Sequence, residues 1–303
     1  MAIEVQGLSK KYGDTFAVNN VSFRVEPGQV TGFLGPNGAG KSTTMRAIVG
    51  LDRPTSGRAL INGKRYAEHP APLHRVGALL DAKAAHPART AANYLVSIAA
   101  THHIPRSRVD EVLDATGLTT VADKKVGGFS LGMGQRLGIA AALLGNPETL
   151  ILDEPVNGLD PEGVTWVRNL LGRLASEGRT VFLSSHLLTE LALIADHVII
   201  IGRGQIIADS PFSELTAGPE SRVRVRTPKA HEFSQLIAAQ DVTVTSAERD
   251  ILEITGVPVE TLAKVAHDTN ILLYELTPIR DSLEDAYNKI TREAVEYVST
   301  PSK

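Results

Sequence analysis

Hydrophobic and polar positions change their spacing along the chain, and these changes predict where strands and helices lie. Short, nearly continuous apolar runs occur before residue 80 and again between 149 and 208. Runs of this kind are typical of strands buried inside a sheet. Between them, at about 84–145, apolar residues recur every three or four positions, which predicts a helical subdomain. Its helices are expected at 91–100, 106–116 and 131–144.

The apolar runs on either side of this subdomain predict nine strands. Turn sequences such as Glu26-Pro27-Gly28 and Asn62-Gly63 separate several of them. Helical segments separate the three runs between 149 and 201, so we expect those strands to be buried and parallel. The predicted strands cover 3–8, 21–25, 29–34, 59–61, 76–80, 149–152, 180–184, 197–201 and 204–208.

A different order of elements follows the segment 216–221, whose Gly, Pro and Ser content is typical of a linker. The order becomes strand, helix, strand, strand, helix, strand, which predicts a small ferredoxin-like domain. We therefore predict two domains, at 1–217 and 222–303. The elements of the second are expected at 223–227, 231–239, 242–246, 251–255, 259–267 and 271–276, with a final helix at 282–297.

The composition narrows the class of protein. The 303 residues carry a formal net charge of −3, so the charge does not indicate a nucleic-acid partner. The absence of cysteine excludes disulfides and thiolate chemistry. No basic region followed by an apolar run opens the chain, and the most apolar stretch, 187–201, contains charged residues and is too short to span a bilayer. We predict a cytosolic protein that can dock on a membrane partner.

The region between the third predicted strand and the next helix fits the pattern G-x-x-x-x-G-K-[ST] of a P-loop. Glycines let the backbone N–H groups of such a loop wrap around phosphate oxygens, and the following helix points its N-terminus at the same anion. Lys41 is expected to reach the β- and γ-phosphates, and the Ser42 hydroxyl to bind Mg²⁺. The alternative is an ordinary glycine-rich turn. The loop residues are Gly35, Pro36, Asn37, Gly38, Ala39, Gly40, Lys41, Ser42 and Thr43.

Two carboxylates follow the apolar strand at 149–152. Asp153, at the strand end, is placed to hold Mg²⁺, as the Walker B aspartate of a P-loop protein does. Glu154 is placed to act as the general base on the attacking water. A structural turn with acidic residues is the alternative, and the nearby P-loop argues against it.

With these motifs in this order, the chain resembles the ATP-binding subunits of ABC transporters. The resemblance implies an α/β fold of the P-loop NTPase class, in which 1–217 is the ATPase domain with a mixed sheet and the helical subdomain. The small α+β ferredoxin-like domain then follows as an accessory domain. It also implies that two chains form a homodimer around two ATP molecules, each bound with Mg²⁺.

Three further residues match family positions in the expected order. Tyr12 matches the aromatic residue that stacks on adenine, although a turn tyrosine packed on its own strand is the alternative. Asp160 belongs to the segment that matches the D-loop. His186 matches the switch histidine near the γ-phosphate, so the resemblance implies a catalytic group of Lys41, Glu154 and His186.

The segment 129–136 lies where the family has its signature L-S-G-G-Q-x-Q-R. Ser130 and Gly132 are retained, whereas Leu131 and Met133 replace a glycine and a glutamine. Ser130 at a helix start can offer its hydroxyl and the helix N-terminus to the γ-phosphate bound by the opposing subunit. The alternative is that Ser130 is only an N-cap.

Asp81 stands where the family usually has glutamine after the strand at 76–80. A carboxylate there is expected to hold Mg²⁺ or the attacking water, directly or through a bridge. The alternative is a plain strand-end carboxylate without a role in the site.

These departures, the single cassette and the tail segments 273–276 and 282–287 resemble the ATPases of bacterial ABC-2 type exporters, the drug- and antibiotic-resistance branch. The resemblance implies ATP-driven export of a drug, antibiotic or lipid-like substrate through a separate polytopic membrane subunit, at the inner face of the membrane. Two alternatives remain open. One is a soluble ABC-type ATPase acting on ribosomes or nucleic acid, and the other is a regulatory nucleotide-binding module without useful turnover.

Overall fold

A computed structural model describes residues 2–216, 222–238, 242–248 and 250–279. Their contacts form two compact units, of which the first runs to Phe212 and the second begins at Ser213. The domain limits 1–217 and 222–303 stay a prediction. The predicted helix at 282–297 and its tail segment at 282–287 lie outside the described residues.

The described residues of the first unit form nine strands, whose positions follow the apolar runs closely. Outside the first hairpin, every strand end lies within three residues of the prediction. The first hairpin differs more, because its long strands pair through the backbone while polar side chains alternate toward solvent. The strands are β1 (Ile3–Tyr12), β2 (Thr15–Val25), β3 (Val30–Leu34), β4 (Ser56–Ile61), β5 (Val76–Leu79), β6 (Thr149–Leu152), β7 (Thr180–Ser185), β8 (His197–Gly202) and β9 (Gln205–Pro211).

The helices of this part include the three predicted for the helical subdomain, which are α2, α3 and α4. Thr90 caps α2 and Ser130 caps α4. The side-chain oxygen of each accepts a hydrogen bond from a backbone N–H in the first turn of its helix. The helices are α1 (Lys41–Ile48), α2 (Ala91–Thr101), α3 (Arg106–Ala115), α4 (Leu131–Leu143), α5 (Pro161–Ser176) and α6 (Leu188–Leu191). A short helix α7 (Phe212–Thr216) starts at Phe212, where the first unit ends along the chain.

The strands form two sheets. In the larger one the order is β5-β6-β7-β3-β8-β9, with every pair parallel except β8 and β9. Strands β3, β6 and β7 are buried at every position, which explains their nearly continuous apolar sequences. The prediction of a mixed sheet with buried parallel strands is confirmed.

The smaller sheet, ordered β2-β1-β4, is antiparallel and shares a core with the larger one. Phe23 on β2 meets Phe33 on β3 and Phe182 on β7, with ring centroids 5.3–5.6 Å apart. Tilted aromatic pairs at this spacing add to the stabilisation from burial. The aromatic cluster therefore fixes the sheet strands whose ends carry the candidate site.

The second unit has the predicted βαββαβ order. Its strands β10 (Arg222–Arg226), β11 (Thr243–Glu248), β12 (Ile251–Thr255) and β13 (Glu275–Ile279) form an antiparallel sheet ordered β11-β12-β10-β13. Helices α8 (Ala230–Ile237) and α9 (Val259–Asp268) contribute Phe233 and Leu262 to its core. This order is that of a ferredoxin-like fold, as predicted.

The last strand of this unit lies later than predicted. The apolar residues from Ile271 on suggested a strand at 271–276, but pairing with β10 begins only at Glu275. Ile271 is buried in the core from the connection that follows α9. Burial in a loop thus imitated the start of a strand.

Among the residues that the structure describes, none of the helices is long and apolar enough to cross a membrane.

Candidate functional site

Three chain segments that carry predicted site residues meet at one edge of the larger sheet. Strands β6, β7 and β3 are neighbours and parallel, so their carboxyl ends lie side by side. Asp153 and Glu154 follow β6, His186 follows β7, and the loop 35–40 follows β3. Ligands of open α/β sheets bind at this edge.

Steric crowding explains why two positions of the loop require glycine. A Cβ atom at Gly35 would lie 2.3 Å from the Ile201 carbonyl oxygen, and one at Gly40 would lie 2.5 Å from that of Ala17. Gly40 also has a φ of 109°, which side chains rarely adopt. The loop therefore packs tightly against its surroundings and delivers the chain directly into α1, which starts at Lys41.

Lys41 is buried in this loop. Its Nζ donates to the Gly35 carbonyl at 2.7 Å and to the Pro36 carbonyl at 3.4 Å, and lies 3.6 Å from Glu154 Oε1. A phosphate that enters the loop would exchange these carbonyl contacts for stronger, charge-assisted hydrogen bonds. Ser42 is exposed and Thr43 half-buried in the first turn of α1.

The Glu154 carboxylate contacts both the P-loop lysine and the histidine that follows β7. Its Oε2 lies 2.9 Å from His186 Nδ1, and its Oε1 is the oxygen that faces Lys41. The residue has a φ of 50°, a left-handed conformation that costs a non-glycine residue about 1–3 kcal/mol. Such strain is concentrated at functional sites, and here it directs the carboxylate between a lysine and a histidine.

Ser184 was not singled out from the sequence, yet it holds both carboxylate residues. Its hydroxyl donates to Asp153 Oδ1 and accepts from the Glu154 backbone N–H at 3.0 Å. The signal was present, because a polar residue at the end of a fully buried apolar strand needs a hydrogen-bonding partner.

The oxygen atoms at this edge fit Mg²⁺, which binds proteins through one or two carboxylates together with substrate phosphates. Asp153 supplies a carboxylate that Ser184 orients, and Ser42 supplies an exposed hydroxyl. Within the described ranges there is no group of three His, Cys, Asp or Glu residues that could hold a metal by itself. The site thus fits an ion that arrives with a nucleotide.

Asp81 is exposed in the turn after β5. Its Oδ1 accepts from the Lys83 backbone N–H at 2.8 Å. The Asp153 N–H donates to the Leu79 carbonyl at 2.7 Å, which places this turn beside the end of β6. The observed bond favours the strand-end alternative, and a role of Asp81 toward the metal stays a prediction.

The predicted signature residues lie at the start of α4. Ser130 Oγ accepts from the Met133 N–H at 3.2 Å, so Ser130 does cap the helix. Leu131 is 48% exposed and lies over Gly158, where a Cβ atom would come within 2.2 Å of Leu131 Cδ2. Asp160 caps α5 by accepting from Gly163 N–H at 2.8 Å. Contacts of Ser130, Gly132 and Asp160 with a nucleotide stay predictions.

Tyr12 is half-exposed beside α1. Its hydroxyl donates to Asp52 Oδ2 at 3.1 Å, and the same oxygen accepts from Arg46 Nε at 2.8 Å. Hydrogen bonding from Arg46 keeps the pKa of Asp52 below its usual range, and partial burial together with Asp52 raises the pKa of Tyr12. The ionised carboxylate therefore holds the tyrosine to the helix that follows the P-loop.

We expect Asp52→Ala to raise the KM for ATP about 3- to 10-fold with little change in kcat, because a hydrogen bond to a charged group contributes about 1.5–3 kcal/mol at most. The ring of Tyr12 would lose its fixed orientation while the phosphate groups stay in place. Steady-state ATPase kinetics measure both constants. Asp14→Ala is the control, because Asp14 is exposed in the same hairpin and its carboxylate pairs with Lys11. Equal KM values for both variants would contradict the role given to Asp52.

Comparisons with known proteins agree on one family for the first unit. Residues 18–157 match the family model described as ABC transporter, and residues 221–284 match one described as a domain of unknown function. The bacitracin transport ATP-binding protein BcrA of Bacillus licheniformis is 43% identical over 216 residues, which are 70% of this chain and 71% of that protein.

A second relative is similar along almost the whole chain. The daunorubicin resistance ATP-binding protein DrrA3 of Streptomyces coeruleorubidus is 32% identical over 301 residues, covering 97% of this chain and 90% of that protein. Among solved structures, the dimeric bacterial ABC transporter cassette MJ0796 is 25% identical with a TM-score of 0.64. The match covers 69% of this chain and 98% of the cassette.

Proposed function

Because this chain belongs to the family of ABC transporter ATP-binding proteins, we propose that it is the ATP-hydrolysing subunit of a drug or antibiotic exporter. One observation carries the proposal. The loop with Lys41, the carboxylate pair Asp153 and Glu154, and His186 converge on one edge of a parallel sheet. Similarity to a bacitracin transport protein and a daunorubicin resistance protein favours export. We infer that the exported substrate is a drug, an antibiotic or a lipid-like molecule.

In the proposed reaction, the loop 35–40 and the start of α1 hold the ATP phosphates, and Lys41 reaches the β- and γ-phosphates. Asp153 and Ser42 would hold Mg²⁺, which neutralises the charge that develops on the phosphate oxygens. Glu154 accepts a proton from the attacking water while His186 orients the carboxylate. The water oxygen bonds to the γ-phosphorus, the bond to the β-phosphate bridge breaks, and ADP and phosphate leave.

The proposed active form is a head-to-tail pair of chains. A solved cassette similar to this one is dimeric. In such a pair, Ser130 and the start of α4 from one chain would approach the γ-phosphate held by the other, where a helix N-terminus favours an anion. Asp160, at the start of α5, would lie close to the same boundary.

The proposed partner is a separate polytopic membrane protein, which would hold this chain at the inner face of the membrane. An open cavity of about 450 Å³ supports it, because its lining is largely apolar and belongs to the segments next to Asp81 and Ser130. Exposed apolar surface of this kind is typical of interaction sites. The lining includes Ala82, Ala85, Pro87, Val126, Phe129 and Leu131.

Capture of a membrane protein tests this proposal. The tagged chain is recovered from detergent-solubilised native membranes, and the proteins that accompany it are identified by mass spectrometry. We expect a polytopic membrane protein with the wild-type chain, and at least a 10-fold weaker signal with Ala82→Glu, because a charge at the cavity cannot be desolvated without a partner.

Ala84→Glu is the matched control, because Ala84 is exposed two residues away and does not line the cavity. It should retain the membrane protein. Recovery of ribosomes or nucleic acid would favour a soluble ATPase instead. Recovery of the chain alone, or equal capture by both glutamate variants, would contradict the proposed partner site.

A further inference from the structure

Gln135 is a buried polar residue that the mechanism above does not use. It lies on α4 with only 4% of its surface exposed, five residues after Ser130. Its Nε2 donates to the Glu154 carbonyl oxygen at 2.8 Å and to the Asn157 carbonyl oxygen at 3.3 Å. Only the nitrogen end of an amide can donate to two carbonyl oxygens, so the chemistry fixes the orientation of this side chain.

These two bonds reach a segment whose backbone is strained. Glu154 has a left-handed φ of 50°. Its N–H is held by Ser184 Oγ at 3.0 Å, and its carbonyl is held by Gln135. Both peptide groups of Glu154 are therefore fixed by side chains from other elements, and the direction of its carboxylate follows from them.

We propose that Gln135 is a positioning residue for Glu154. By holding the Glu154 and Asn157 carbonyls, it keeps the turn after β6 in the conformation that presents the Glu154 carboxylate to His186 and Lys41. It acts on the rate of the chemical step through Glu154 and does not touch the nucleotide. The inference rests on the proposed function, because it requires Glu154 to be the base.

Gln135→Met tests the inference with a side chain of similar size. The variant loses the donor, and it also loses Gln135 Oε1, a buried oxygen without a hydrogen-bond partner among the described residues. Losing an unpaired acceptor favours folding. We expect kcat to fall about 10- to 100-fold, because small displacements of a catalytic group have effects of this size, while the Kd for ATP changes less than about 3-fold.

A double-variant comparison separates positioning from a general structural effect. In the Glu154→Gln background, Gln135→Met should not reduce the residual turnover further, because residues that act as a unit are not additive. A loss by the same factor in both backgrounds would overturn the inference, and so would a wild-type kcat for the single variant.

Gln135→Glu gives a readout that a purely structural role would not move. Burial and two facing carbonyls disfavour the ionised form and raise the pKa of the introduced carboxyl. Its protonated form can donate one hydrogen bond to the Glu154 carbonyl. We therefore expect the kcat of this variant, relative to wild type, to rise as the pH is lowered. A ratio that is constant with pH would count against the inference.

Arg108→Met is the matched control. Arg108 on α3 donates to the Leu143 and Leu144 carbonyls at the other end of α4, at 2.9 and 3.3 Å. Its loss removes these two hydrogen bonds to the end of α4 and an ion pair with Glu111 within α3. The kcat of Arg108→Met should stay within about 2-fold of wild type. A larger loss would show that loosening α4 alone explains the effect of Gln135→Met. If Glu154→Gln itself retained full turnover, the assignment of Glu154 as the base would be wrong. That result would be obtained before any Gln135 variant is made, so it is distinguishable from a failure of the inference on Gln135.

Discussion

Glu154→Gln is expected to lower the turnover of ATP about 10²–10⁴-fold, the usual contribution of a positioned general base. The glutamine has the same shape and can still face His186, but it cannot accept a proton from water. Lys41 and the loop 35–40 are unchanged, so ATP should still bind. ATP-bound dimers should therefore accumulate. Single-turnover hydrolysis and size-exclusion chromatography with ATP measure the two effects.

The control for this experiment is Glu177→Gln. Glu177 forms an exposed ion pair with Arg179 before β7, at the opposite end of the strand from His186. An exposed pair contributes little, so this variant should retain wild-type turnover. Wild-type turnover in Glu154→Gln would remove Glu154 from the role of base.

Lys41→Met should have the second large effect, a loss of ATP affinity of about 100-fold or more. The Nζ atom lies within the loop, and one hydrogen bond between charged partners contributes about 1.5–3 kcal/mol, so contacts to two phosphates exceed a factor of 100. Methionine keeps the apolar stem and removes the charge. Titration calorimetry with ATP measures the Kd directly.

Lys64→Met is the matched control, because Lys64 is exposed in the turn after β4. It should bind ATP with the wild-type Kd. The two site variants should also differ from each other. Glu154→Gln should bind ATP and not hydrolyse it, whereas Lys41→Met should bind ATP weakly. An unchanged Kd in Lys41→Met would mean that the phosphates lie elsewhere than in this loop.

The order of elements could be predicted from the sequence because buried strands consist mostly of apolar residues. Strands β3, β6 and β7 are covered on both faces, so every position is apolar or small and the runs are easy to recognise. Strand ends were harder. In β1 and β2 the residues beyond the apolar runs are paired through the backbone, which does not require apolar side chains.

The segment from Ile271 shows the opposite error, because apolar residues in a connection resembled a strand. Sequence periodicity reports which residues are buried, and it does not distinguish a buried loop from a short strand. Only the pairing with β10 shows that the strand starts at Glu275.

Site residues that belong to a local sequence motif could be predicted, and those that depend on contacts between distant segments could not. Lys41, Asp153 and Glu154 could be predicted, because the pattern around each lies within one strand and its following loop. Gln135, Ser184 and Asp52 could not be assigned their partners, because those are 19, 31 and 40 positions away in the chain. Such contacts depend on tertiary packing, which no spacing rule encodes.

The left-handed backbone of Glu154 places stability and activity in conflict at one residue. Glycine would relieve a strain of about 1–3 kcal/mol there, and the carboxylate would be lost with it. A search for thermally stable variants would therefore select against activity at position 154, a trade-off found where a catalytic group needs an unfavourable conformation. Stabilising changes are better sought in the aromatic cluster or at helix caps, where relaxation does not move the carboxylate.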